Sequence, residues 1–103
     1  MNKKSSEIIA KEEIIEFLQK NKPFLKENFG LTKIALFGSH ARNEQTEKSD
    51  IDLAIETNNI SFKNYCKLKN FLESRLNKKV DLCYLNSMRT FIKHSIEKEI
   101  IYA

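Results

Sequence analysis

The chain has 103 residues, with 18 Lys or Arg against 14 Asp or Glu, for a formal charge of +4. That length suits one domain (1–103) with one modest core, and 41% apolar residues suit a globular chain rather than a disordered one. No run approaches the ~20 apolar residues of a membrane span, and Met1–Ser6 lacks a signal peptide's apolar stretch, so no membrane association and a cytoplasmic location are expected.

From Ser6 to about Lys20 the pattern is helical, with Ser6 as cap and Ile8, Ile14, Ile15, Phe17 and Leu18 forming an apolar face. Pro23 allows a break or a new start, and Gly30 is a natural helix stop. Leu31–Phe37 reads as a buried strand, and Gly38-Ser39 then opens a short helix to about Asn43. Asn43–Ser49 holds no apolar residue and is an exposed loop. Ile51, Leu53 and Ile55 alternate with Asp50, Asp52 and Ala54, the signature of a half-buried strand. A helix is predicted for Ser61–Asn77 on a stripe of Tyr65, Leu68, Leu72 and Leu76. Val80–Tyr84 is a third strand, and a last helix runs from Ser87 on Met88, Ile92, Ile96 and Ile100. The order α-β-α-β-α-β-α implies an α/β fold, a small mixed sheet flanked by helices.

Cys66 and Cys83 form no CxxC and have no histidine at ligand spacing; both read as small buried residues in a reducing compartment. The lysines are dispersed, which suits a solvated surface better than a polyanion groove, and no direct nucleic-acid binding is expected. His40 and His94 read as surface or helix residues, although His40 stands beside the candidate site. Tyr84 and Tyr102 read as core and helix-end residues.

The chemistry concentrates in the middle of the chain. A strand ending in Gly38-Ser39 and turning at once into a helix aims backbone N–H groups at one spot, and Gly38 lets a phosphate approach. Taken alone, this is also an ordinary strand–helix turn. Asp50 and Asp52 are two apart on a strand, so they share a face, with Cα atoms about 6–7 Å apart. Their repulsion is relieved by cations such as two Mg²⁺ ions clamped to nucleotide phosphates; the bland alternative is the solvent side of an edge strand. Glu56 lies about 13 Å beyond Asp52, too far to share an ion. Asp81 interrupts an apolar run, Val80-Asp81-Leu82, where a carboxylate needs a partner or a metal unless it faces solvent.

Together, Gly38-Ser39-His40-Ala41-Arg42 and Ser49-Asp50-Ile51-Asp52-Leu53 resemble the GSxARG…SDxDL signature of the minimal nucleotidyltransferases. These belong to the DNA polymerase beta-like superfamily. Ten residues separate Gly38-Ser39 from Asp50, the spacing of that signature, and Val80-Asp81-Leu82 matches the strand with the family's third carboxylate. The resemblance spans nearly the whole chain in element order and implies a polymerase beta-like nucleotidyltransferase fold. Asn43 stands where the family has Gly; Asn tolerates the left-handed backbone, so the turn is expected to survive.

The resemblance implies that Gly38 and Ser39 hold the β- and γ-phosphates and that Asp50, Asp52 and Asp81 bind two Mg²⁺ ions. Asp81 would also help deprotonate the attacking hydroxyl. Arg42 would reach triphosphate oxygens or pair with a carboxylate, and Ser49 would orient the aspartates or cap the loop. ATP would be the co-substrate. Relatives that modify antibiotics or tRNA carry a second, acceptor-binding domain, whereas Leu85–Ala103 has room for one helix. Stand-alone members resemble antitoxins that transfer AMP to a tyrosine of a HEPN-domain toxin, and this is the first reading. A binding module with a vestigial site is the second, and a small-molecule nucleotidyltransferase working as an oligomer the third. Phe91, Ile101 and Tyr102 do not all fit on the last helix's stripe: they pack under the first helix or form an interface with the toxin or a second copy.

Overall fold

The computed structural model describes residues 8–88 and 100–103. Helix α1 (Lys11–Lys20) begins five residues later than the sequence pattern suggests. Its cap is Ala10, whose N–H donates to Glu13 Oε1 at 3.1 Å, half of a capping box. Ile8 precedes the helix and is exposed, and Ser6 lies outside the described residues. Asn21 breaks α1 from α2 (Lys22–Phe29), where Pro23 sits in the first turn, the position at which a missing N–H does no harm. Gly30 ends α2 at φ +68°, its N–H bonded to Lys26 O at 3.0 Å, so the expected stop is there.

The sheet has the order β3-β2-β1-β4. Strands β1 (Leu31–Phe37) and β2 (Ile51–Thr57) are antiparallel, with Leu36 opposite Leu53 and Phe37 opposite Asp52. Helix α3 (Phe62–Leu76) then crosses to β3 (Val80–Tyr84), which runs parallel to β2. The sheet is therefore mixed, as expected. Helix α4 (Leu85–Met88) is one turn long and packs on β2 and β3. The last element corrects the sequence reading. Ile101–Tyr102 form strand β4, antiparallel to β1, and Ala103 N–H extends the pairing to Ile34 O at 3.0 Å. Tyr102 is thus an exposed edge-strand residue, not a helix end, because β1 had an unpaired backbone edge to offer. The predicted positions Phe91, Ile92, His94 and Ile96 lie outside the described residues.

Alternation along the strands sorts the two faces. Ile34, Leu36, Leu53, Ile55, Val80 and Leu82 join Ile14, Leu18, Leu25, Leu68 and Leu72 in one buried cluster. The opposite face carries Ala35, Ala54, Asp52 and Asp81 in neighbouring registers. Two side chains of α3 close the outer edge of β3. Tyr65 OH donates to Leu82 O at 3.0 Å, and Val80 N–H donates to Glu73 Oε2 at 2.9 Å. The Val80 N–H, first among its neighbours, also holds the Glu73 pKa below the usual carboxylate range.

Asn64 fastens the helices together. It is buried, and its amide donates to Phe29 O and Asn59 O, both at 2.9 Å, while Thr57 Oγ1 also donates to Phe29 O. The end of α2, the end of β2 and the start of α3 therefore meet at one polar node. Asn64→Ala should cost about 1–3 kcal/mol in urea unfolding, since it removes two hydrogen bonds at this node. A loss under about 0.5 kcal/mol, the range of an uninvolved surface position, would contradict the node.

Candidate active site

Phe37 ends β1 opposite Asp52, and Asp52 stands in register with Asp81 on β3. Adjacent strands are about 4.8 Å apart, so this places the Gly38 turn and two carboxylates in one row across the sheet. Asp50 lies just before β2 and is exposed. Ile51 N–H bonds to Lys79 O at 2.9 Å, tying the start of β2 to the start of β3.

The turn after β1 is tighter than the sequence suggested. No helix forms over 38–43; Ala41 and Arg42 N–H both donate to Gly38 O, and Glu44 N–H donates to Ser39 O at 2.9 Å. Asn43 ends the turn at φ +60°, the left-handed conformation for which Asn is the best substitute for Gly. No macrodipole of a helix is available there. The main-chain N–H groups of Ser39 and His40 find no protein acceptor among the described residues, and such adjacent N–H groups suit an anion.

Gly38 is required twice over. Its φ is +79°, and a Cβ there would overlap Asp52 Oδ2 and stand 3.0 Å from Asp52 Cγ. The Asp52 carboxylate therefore lies directly across the glycine. Burial, then the charges of Asp81 and Asp50, push the Asp52 pKa up to about 6, with Arg42 opposing. The fold brings Gly38, Asp52 and Asp81 together, and Asp50 is near enough to act on Asp52 through its charge. Burial, Asp81 and Asp52 likewise push the Cys83 thiol up to about 11, so it stays protonated and is no nucleophile. Both cysteines are half-buried rather than fully enclosed.

Ser49 closes the loop ahead of Asp50: its Oγ accepts from Thr46 N–H at 2.9 Å and its N–H donates to Thr46 O at 3.0 Å. Arg42 pairs through Nε with Glu44 Oε1 at 3.0 Å and also acts on Asp52. Two participants escaped the sequence reading. Lys78 Nζ donates to Glu47 O at 2.6 Å, clamping the polar loop to the α3–β3 turn. His40, read as a surface or helix residue beside the site, is wholly buried, and no hydrogen-bond partner among the described residues meets its ring nitrogens. Burial, then the Lys78 charge, lower its pKa, against the main chain and charge of Asp50. The sequence signal was weak: His40 is flanked by Ala41, itself buried.

No three His, Cys, Asp or Glu side chains among the described residues are close enough to enclose an ion alone. Facing carboxylates of this kind suit Mg²⁺, which takes one or two protein carboxylates and completes its shell with water and phosphate oxygens.

Two outcomes test this geometry. Asp52 has a raised folded pKa, so its stabilising contribution is present below about pH 4 and lost as pH rises through about 6. Asp52→Asn should therefore be more stable than wild type by about 1–3 kcal/mol at pH 7.5, and the advantage should vanish near pH 4. A difference independent of pH would contradict the strained carboxylate. Gly38→Ala should cost about 1–3 kcal/mol, less in an Asp52→Ala background. Equal costs in the two backgrounds would place Asp52 away from Gly38.

Comparison with known proteins identifies the family and the fold. Residues 12–103 match the family described as polymerase beta, nucleotidyltransferase. A Methanocaldococcus jannaschii chain, classed by inference as a protein adenylyltransferase, is 47% identical over 94 residues, covering 87% of this chain and 94% of that one. A toxin–antitoxin structure with AMP-PNP aligns at TM-score 0.64 and 28% identity, covering 91% of this chain and 72% of the other. The tri-AMPylated HEPN toxin complex with its MNT antitoxin from Shewanella oneidensis aligns at TM-score 0.54 and 27% identity, covering 89% and 66%. Among the described residues no helix is long and apolar enough to cross a membrane. The chain belongs to the polymerase beta nucleotidyltransferase family, in its minimal, protein-adenylylating branch.

Proposed function

We propose that this chain is an antitoxin that transfers AMP from ATP to a tyrosine of a HEPN-domain toxin, in a Mg²⁺-dependent reaction. The observation that carries the reading is the contact of the Asp52 carboxylate with Gly38, which joins the phosphate turn to the acidic strand. The adenylylated toxin found with a similar antitoxin supports the acceptor and the partner, and AMP-PNP in another similar complex supports ATP.

In this reading, the N–H groups of Ser39 and His40 and the bare backbone of Gly38 seat the β- and γ-phosphates. Asp50, Asp52 and Asp81 would hold Mg²⁺, which would offset the charge of the phosphates and of the leaving pyrophosphate. The tyrosine oxygen attacks the α-phosphorus in line, the bond to the β-phosphate oxygen breaks, and pyrophosphate leaves. Asp81, exposed at the outer strand, takes the phenol proton. Arg42 balances charge near Asp52, and Ser49 fixes the loop from which Asp50 projects. Positioning and charge neutralisation supply the catalysis.

Incubating the protein with ATP, Mg²⁺ and a HEPN-domain partner should add one or more AMP masses to that partner, on tyrosine, by intact mass and fragment analysis. Asp50→Asn and Asp52→Asn should each lower the rate by at least about 100-fold. A stable complex that never becomes modified would hand the case to neutralisation by binding alone.

A further inference from the structure

Two apolar side chains at the start of α3 stand in solvent. Ile60, in the loop after β2, is 73% exposed, and Phe62, the first residue of α3, is 77% exposed. Phe24, by contrast, is 43% exposed and packs against Phe29 and Phe71. A single exposed apolar residue is ordinary, but these two continue into a row of rings. The Phe62 ring stacks on Tyr65 with centroids 6.4 Å apart, and Tyr65 meets Tyr84, at the end of β3, at 6.1 Å. Both tyrosines are half-buried, so the row is anchored on the core at one side and open at the other.

The row runs along the outer edge of β3, the strand that carries Asp81. Tyr65 OH donates at 3.0 Å to the carbonyl of Leu82, the residue next to Asp81. Tyr84 lies three residues beyond Asp81, about 10 Å along the strand. This edge is closed to strand addition at Val80 and Leu82, because Glu73 occupies the Val80 N–H and Tyr65 the Leu82 carbonyl. A protein approaching here meets side chains rather than a free backbone edge, and aromatic rings are enriched in the apolar centre of protein interfaces. In the nucleotidyl-transfer reading, nucleotide fills the space between Asp81 and the Gly38 turn, so the acceptor reaches Asp81 from the outer side of β3. A stable interface covers about 800 Å² a side, a footprint roughly 32 Å across. An acceptor seated over that edge therefore also covers the row.

We infer that Ile60, Phe62, Tyr65 and Tyr84 form the docking surface for the protein that receives AMP, which meets them with apolar side chains flanking its acceptor tyrosine. The inference rests on the nucleotidyltransferase reading above and adds the direction from which the acceptor arrives. Docking here holds the tyrosine near Asp81 without touching the phosphate turn. Its signature is a loss of acceptor affinity alone.

The test uses the double variant Ile60→Ser/Phe62→Ser. Both positions are exposed, so its melting temperature should stay within about 3 °C of wild type. Phe62→Leu keeps an apolar side chain in the row. Dissociation constants for a HEPN-domain partner are measured by calorimetric titration, and kcat and KM are determined separately for that partner and for ATP with Mg²⁺. The double variant should bind the partner at least about tenfold more weakly, the scale of a lost interface anchor, and KM for the partner should rise by a similar factor. The ATP KM, and kcat at saturating partner, should stay within about twofold of wild type. Phe62→Leu should retain most of the affinity. An unchanged dissociation constant in the double variant would overturn the inference, as would an ATP KM that rises as much as that for the partner. Self-association of wild type that the double variant abolishes, with partner binding intact, would also overturn it and make the row a contact between copies. Wild type that binds the partner but transfers no AMP would defeat the transfer reading instead, and the dissociation constants would still decide the surface.

Discussion

The Asp52 carboxylate lies across a glycine that has no room for a β-carbon, and the rest of the site is arranged around that contact. The antiparallel register of β1 and β2 sets Asp52 opposite Phe37, the residue before Gly38, and the parallel register of β2 and β3 adds Asp81. A one-residue slip in either pairing would send the carboxylates into the apolar cluster. The leucines and isoleucines of the other face therefore specify the site as much as the aspartates do. Their burial sets the register, and the register concentrates negative charge beside a turn with free N–H groups.

That concentration is unfavourable in the free protein. Burial and two like charges raise the Asp52 carboxylate to about 6, so it is ionised at neutral pH only against an electrostatic cost. Stability is supplied elsewhere: by the helical face of the sheet, by Asn64 at the junction of α2, β2 and α3, and by Tyr65 and Glu73 along the edge of β3. The division between a stabilising face and a strained one is what a cation-dependent enzyme requires, since the incoming positive charge is matched to a cost already present.

Much of this was legible in the sequence, for reasons that differ by element. Helix α3 follows from the Leu68-Leu72-Leu76 stripe and Ser61, whose Oγ accepts from Asn64 N–H at 3.2 Å. Gly30 and Asn43 were readable because few residues accept a left-handed backbone. The acidic row was readable only from Gly38-Ser39, Asp50-x-Asp52 and Asp81 taken together, since alternate aspartates alone also suit the solvent side of a strand. The C-terminal strand was not: two residues, Ile101-Tyr102, carry no period, and their conformation comes from the open edge of β1. Nor was the burial of His40, whose sequence neighbours Gly38, Ser39 and Arg42 are polar or small and only Ala41 is apolar. The turn at 38–43 was read as a helix because a Gly-Ser start resembles one, whereas Asn43 and the wholly polar segment after it leave nothing to propagate a second turn.

Calorimetric titration of premixed Mg²⁺ and ATP into the protein at pH 6, in two buffers of different ionisation enthalpy, tests the central claim most directly. If the carboxylate over Gly38 receives the cation, binding should expel roughly half a proton per site at that pH, falling toward none at pH 8, and Asp52→Asn should abolish the release. Equal heats in both buffers, or unchanged affinity in Asp52→Asn, would place the cation and the nucleotide somewhere other than this contact.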